Sequence, residues 1–176
     1  MDVLEKLKSF SRYLSAMQVE FSYNKGQVIQ ALRYHFITRR EIRFIVILVN
    51  IFTIFSAILF YLHKIFPLAF LLSSALWIVL MAAFWFFLPY SVYKREHTFK
   101  DHFKATLEEN HFFIANGRGG RSWAWREFSN YLETPHFFHL YFDGRSFFLL
   151  PKDAFAGKDE LHEARVLFKG NIRKRG

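Results

Sequence analysis

Few residues in this sequence have the types and spacing that chemistry needs, and each group that might is incomplete. Eight histidines invite a metal reading. His136 and His139 lie three apart in a segment of strand character, so they fall on opposite faces, and no carboxylate pair completes a site. Cysteine is absent, which removes disulfides, thiolate nucleophiles and zinc–thiolate centres. The serines beside Trp123 and Asn130 have no neighbouring base or turn that would activate them. The run Gly117-Arg118-Gly119-Gly120-Arg121 resembles a phosphate-cradling loop. It lacks the Lys-Ser/Thr and the following helix of a P-loop, so a hairpin turn between two strands is the favoured reading. Nothing here points to an enzyme, a metal or a cofactor.

The elements around these residues carry a stronger signal. Phe44 to Leu62 reads FIVILVNIFTIFSAILFYL, polar only at Asn50, Thr53 and Ser56. Leu68 to Leu88 reads LAFLLSSALWIVLMAAFWFFL, polar only at Ser73 and Ser74, with Pro67 and Pro89 at its two ends. At about 1.5 Å per residue, each is long enough for a hydrocarbon layer of about 30 Å. Two helices apolar on every side cannot be covered by a chain of 176 residues, so they predict membrane spans over about 44–62 and 67–89. The connection His63-Lys64-Ile65-Phe66 makes them an antiparallel hairpin. Asn50 is expected to bond its own helix or the hairpin mate.

Orientation follows from charge. The net charge is +9, and residues 1–43 carry 8 Lys and Arg against 4 acids. Residues 94–176 carry 15 against 11, while the turn between the spans carries Lys64 alone. Arg39, Arg40 and Arg43 precede the first span, and Lys94 and Arg95 follow the second. Basic residues are retained on the cytoplasmic side, so the expectation is a multi-pass protein of the cytoplasmic (inner) membrane with both termini inside. Tyr61, Trp85, Tyr90 and Tyr93 stand where interfacial aromatics belong. The excess charge is spread thinly, which argues against a nucleic-acid partner. No signal-peptide pattern is apparent in residues 1–43.

Three segments result: 1–43, a hairpin over 44–93, and 96–176. Val3, Leu7, Phe10, Leu14 and Met17 form one apolar stripe of a helix. This helix could lie on the membrane or pack on the soluble domain. Val19–Tyr23 alternates like a strand, and Asn24 with Gln27 forms a capping-box pattern opening a helix toward the membrane. The strand has no sequence-local partner, so it is expected to pair with a sheet after residue 100, Val19 and Phe21 facing one way and Glu20 and Ser22 the other, which would make 1–43 and 96–176 one folded unit.

Beyond the hairpin the period changes to two. His111–Asn116, Ser122–Trp125, Ser129–Glu133, His136–Phe142 and Arg145–Leu150 read as strands. Asp143-Gly144 signals a two-residue turn, which would place Leu140 opposite Phe147 and Phe138 opposite Leu149 on a buried face. The second face, with His139 opposite Phe148, would be half exposed. Lys158–Lys169 reads as a helix stopped by Gly170, with Leu161, Ala164 and Phe168 inward. The fold class is therefore α+β: a transmembrane helical hairpin plus a small antiparallel sheet.

The Trp125-Arg-Glu-Phe128 segment, Tyr131-Leu-Glu-Thr134 and the aromatic hairpin ending Phe147-Phe-Leu-Leu-Pro151-Lys-Asp-Ala-Phe155 resemble the YcxB-like family of small bacterial membrane proteins, over roughly residues 18–170. The resemblance implies a pleckstrin-homology-like (PH-like) domain: a strongly bent sheet, or partial barrel, closed by the C-terminal helix. It supplies no catalytic residues. Trp125, Phe138, Leu140, Phe147, Leu149, Pro151 and Phe155 are the expected structural core.

The function that fits is a non-catalytic, membrane-anchored scaffold that presents this domain at the cytoplasmic face to a protein partner or a second copy. An alternative is a sensor of anionic lipid headgroups through Arg118, Arg121 and the tail Arg173, Lys174 and Arg175.

Overall fold

The computed structural model describes residues 17–174. The apolar stripe over Val3–Leu14 and the tail residue Arg175 lie outside them. Two compact units result, one from residues 17–24 with 98–174, the other from Lys25–His97. Residues 25–43, expected to join the sheet-bearing unit, belong instead to the helical one.

The first unit holds two antiparallel sheets and a helix. β1 (Met17–Ser22), β2 (His102–Leu107), β3 (His111–Asn116) and β4 (Gly119–Ala124) pair in that order. The partner expected for Val19–Tyr23 is β2: Val19 faces Ala105 and Phe21 faces Phe103. Val19 and Phe21 are buried, and Glu20 and Ser22 exposed. β2 has no counterpart among the strands read from sequence, although Phe103, Ala105 and Leu107 alternate inward.

The second sheet has the order β5 (Asn130–Glu133), β6 (Phe137–Tyr141) and β7 (Phe147–Pro151). The single bent sheet implied by the family resemblance is thus two sheets. The break has a local cause: β4 ends at Ala124, and Trp125–Glu127 forms a 3-10 turn where a strand was expected to continue. The Glu127 carboxylate accepts the Ala124 N–H at 2.8 Å, and the Trp125 indole N–H donates to the Glu108 carbonyl at 2.8 Å. These bonds satisfy groups that a straight ladder would have used.

The β6–β7 register differs from expectation by one residue. Leu140 faces Phe148 and Phe138 faces Leu150. The Asp143 carboxylate accepts the N–H groups of Arg145 and Ser146 at 2.6 and 2.8 Å, and the Phe142 N–H reaches the Ser146 carbonyl at 3.0 Å. Asp143 therefore builds a three-residue loop rather than a two-residue turn. A slip of one residue exchanges the faces of a whole strand. Phe147 and Leu149 consequently sit opposite Tyr141 and His139. The expected half-exposed face is absent as well, since all five residues of β6 are buried.

The helix α4 (Lys158–Asn171) closes this unit with Ala164 and Phe168 fully buried. It runs through Gly170, one residue past the expected stop. Phe168 meets the rings of Trp125, Tyr131 and Phe138 at 4.9–6.0 Å. Tyr23 ties the end of β1 to the second sheet by donating its hydroxyl to the Leu149 carbonyl at 2.7 Å. Burial pushes the Tyr23 phenol well above its ordinary pKa.

The second unit contains α1 (Lys25–Thr38), α2 (Arg40–Tyr61) and α3 (Pro67–Arg95). Arg39 adopts an extended conformation that separates α1 from α2. The helices α2 and α3 are long and apolar enough to cross a membrane. They pack as a hairpin through Ser56 and Ser73, whose hydroxyls lie 2.8 Å apart, and through stacked Phe60 and Phe70. Asn50 makes both contacts expected of it: its amide donates to the Val46 carbonyl at 2.7 Å and accepts the Trp77 indole N–H at 3.3 Å.

Within α3 the stretch Ala83–Phe87 widens to a π-helical turn just before Pro89. Pro89 has no N–H to return to the carbonyl four residues back, that of Trp85. The Arg33 guanidinium of α1 supplies the missing donor at 2.9 Å.

Candidate functional site

The basic residues proposed as lipid contacts do not form one patch. Arg118 lies in the two-residue turn Gly117-Arg118, since Asn116 faces Gly119 across β3 and β4. Its guanidinium is held by Asp101, which also accepts from the Asn116 amide at 3.2 Å. Gly119 and Gly120 are strand residues rather than a cradle. Gly119 has φ near 142°, and a Cβ on Gly120 would sit 2.6 Å from the Phe113 ring. Arg121 lies over the face of Trp123 at 5.3 Å.

The tail is not simply solvated. The Tyr131 N–H donates to the Arg173 carbonyl at 2.9 Å, and Lys174 forms a bridge beside Tyr131, so the chain after α4 covers part of the β5 edge. Burial, with the Glu133 charge adding to it, raises the Tyr131 phenol's pKa. In the helical unit, Arg39 approaches Glu41 at 3.9 Å, Arg40 and Arg43 occupy the first turn of α2, and Lys94 and Arg95 the last turn of α3.

Of the expected core residues, Trp125, Phe138, Leu140 and Phe155 fall in one buried cluster between the two sheets and α4. Phe147 and Leu149 lie on the other face of their sheet. There the rings of His139, Tyr141 and Phe147 gather at 5.4–6.1 Å. His139 is fully buried, with Nε2 3.3 Å from the Thr134 hydroxyl. His136 lies in the turn before β6, where its carbonyl accepts the Lys152 N–H. Among the described residues, no three His, Cys, Asp or Glu side chains gather as metal ligands would.

One polar constellation was missed from sequence. Glu133 at the end of β5 receives Lys152 at 2.6 Å and Arg165 at 3.0 Å, joining β5, the turn after β7, and α4. Burial pushes the Glu133 carboxyl up, but hydrogen bonds from Lys152 and Arg165 and their charges outweigh it and hold the group below the usual carboxylate range. Lys152 also lies 5.3 Å over the Phe138 ring, and Phe155 meets Phe138 edge-on. The residues are far apart in sequence, so spacing alone offered no signal. The cluster binds three elements together.

What remains for recognition is surface. β4 is the last strand of its sheet, and Gly119–Ser122 are exposed along it. No curated protein and no solved structure matches the chain. The stretch that holds the Trp125 turn, the Glu133 cluster and the Pro151–Phe155 segment is the one for which a relationship is found: residues 107–165 match the model of the family described as YcxB-like protein.

Proposed function

We propose that this chain is a membrane-anchored interaction module of the cytoplasmic membrane. The helices α2 and α3 cross the bilayer, and the segments before and after them lie on the cytoplasmic side. The β unit, a PH-like domain closed by α4, recruits or regulates a protein partner. One observation carries the anchoring. The most apolar 18-residue windows of α2 and α3 have only 6% and 0% of their residues buried. Apolar surface on that scale is unfavourable in water and favourable in lipid. The charge bias, with Arg39, Arg40, Arg43, Lys94 and Arg95 at one end and Lys64 at the other, supports the orientation.

The exposed edge of β4 supports a protein partner, because unpaired strand backbone is the template on which a partner adds a strand. The headgroup-sensor reading is weaker, since Arg118 is occupied by Asp101 and Arg121 rests on Trp123. Two measurements test the proposal. Cysteines placed at Lys64 and Lys174 should label oppositely with a membrane-impermeant reagent on intact cells, and labelling at position 174 overturns the orientation. The full chain, purified in mild detergent, should carry a partner that is lost when Arg121 and Ser122 are both changed to Glu. Retention of the same partner by that variant removes β4 from the reading.

A further inference from the structure

The C-terminal half of α3 carries an apolar groove of about 560 Å³, lined by Val79, Ala82, Ala83, Phe86, Phe87 and Tyr90. A groove in a membrane helix is ordinarily filled by whatever acyl chain is nearest. Two features set this one apart. The Arg33 guanidinium lies 5.5 Å over the ring of Phe86 and 5.7 Å over that of Trp85. The Lys25 ammonium lies 5.2 Å over Tyr90 and 6.0 Å from the Tyr93 ring centre. Two of the three lining rings thus carry a cation of α1 on their faces, and neither cation has a carboxylate partner among the described residues. The Arg33 fork has five N–H donors, of which the Trp85 carbonyl takes one.

Depth gives the arrangement its meaning. Counting from Pro67 at about 1.5 Å per residue, a hydrocarbon layer of about 30 Å ends near Phe86 and Phe87. The Val79–Phe87 part of the groove then lies among acyl chains, and Arg33 and Lys25 stand at the level of lipid phosphates.

We infer that α1 and the π-helical segment of α3 form a binding site for one anionic glycerophospholipid, its acyl chain in the Val79–Tyr90 groove and its phosphate between Arg33 and Lys25. This rests on the membrane reading of α2 and α3 and concerns residues separate from Arg118, Arg121 and the tail. Two cations favour a headgroup with net negative charge over phosphocholine, whose own ammonium already balances its phosphate. The widened turn before Pro89 gives the groove its room. The Arg33 bond to the carbonyl freed by Pro89 fixes one cation above it.

The test uses the full chain, reconstituted in phosphatidylcholine vesicles containing a minority of phosphatidylglycerol and re-extracted in mild detergent. Native mass spectrometry then reads which lipid stays bound. The wild type should retain phosphatidylglycerol enriched over its share of the bilayer, by about fivefold for each cation engaged. Lys25→Gln, which breaks no hydrogen bond, should lower the enrichment severalfold. Adding Arg33→Gln should bring it to the bulk ratio, while Arg33→Lys restores part of it. Ala83→Phe, which fills the groove, should reduce retention of both lipids. Arg118→Gln with Arg121→Gln should leave the enrichment unchanged.

Retention in proportion to the bulk, unchanged enrichment in the Lys25 and Arg33 variants, or a lipid-free dimer would each overturn the site. Resistance of the wild type to alkaline carbonate extraction is scored separately. Its loss would remove the membrane reading itself.

Discussion

The two units use the same residue type in opposite ways. In the β unit, Phe103, Phe112, Phe128, Phe137, Phe138, Phe155 and Phe168 are all at most 8% exposed. In the helical unit, Phe44, Phe52, Phe55, Phe66, Phe86 and Phe87 are each more than half exposed. The difference lies in what each element can cover. Strands with period two present one side to a shared core, and a helix laid over it completes the burial. A hairpin of two helices covers only the strip where they touch, and a helix apolar on every side needs a solvent that accepts the remainder. The teaching is that identical side chains are packed into a core in one unit and left on the surface in the other.

That contrast can be broken most sharply in the β unit. Phe138→Ala and Trp125→Ala should each cost about 3–5 kcal/mol, read from chemical denaturation of the full chain in detergent. An unchanged midpoint in both would mean that the cluster around Phe168 is not a packed core. Next in size is the dependence on lipid that the proposed membrane reading requires of the helical unit. Ile78 is 59% exposed, and Ile78→Arg near the middle of α3 should cost about 2.5–3.5 kcal/mol of membrane insertion, measured as a glycosylation-reporter ratio. Normal insertion of that variant would place the Ile78 face against protein or water instead.

The Glu133 cluster offers a smaller effect with a sign in pH. Its folded carboxyl is held below the ordinary value, so the stability it contributes is present above the normal carboxylate range. That stability is lost as pH falls through the lowered folded value. Glu133→Gln should cost about 1–3 kcal/mol at pH 7. The gap to wild type should close in denaturation series run below about pH 4. A gap that persists there would assign the cost to shape rather than charge. The smallest effect sharpens the comparison directly: Phe52→Ala should change insertion by only about 0.5 kcal/mol, although it removes the same ring as Phe138→Ala.

Much of this was legible in the sequence, and the exceptions have physical reasons. The two apolar helices, the inward faces of Val19 and Phe21, and the turn before Gly119 follow from period and punctuation, which are local. β2 was missed because Lys104 and Ala105, both depleted in strands, interrupt the pattern of His102–Leu107. The β6–β7 register went astray because Asp143 was read as half of a turn dipeptide. Its carboxylate instead reaches two backbone N–H groups, and that bond decides the loop length. The groove beside Arg33 and the Glu133 cluster have no local signal at all. Arg33 becomes informative only when Pro89, in another helix, has left a carbonyl for it.

The pairing of β1 with β2 orders events during synthesis. Val19 leaves the ribosome long before Ala105, its neighbour across the sheet, and the whole helical unit is made between them. At about 5–20 residues per second, β1 waits roughly four to seventeen seconds for its partner. Through that interval its edge stays open while the apolar helices emerge, so both helices are complete before the sheet can close.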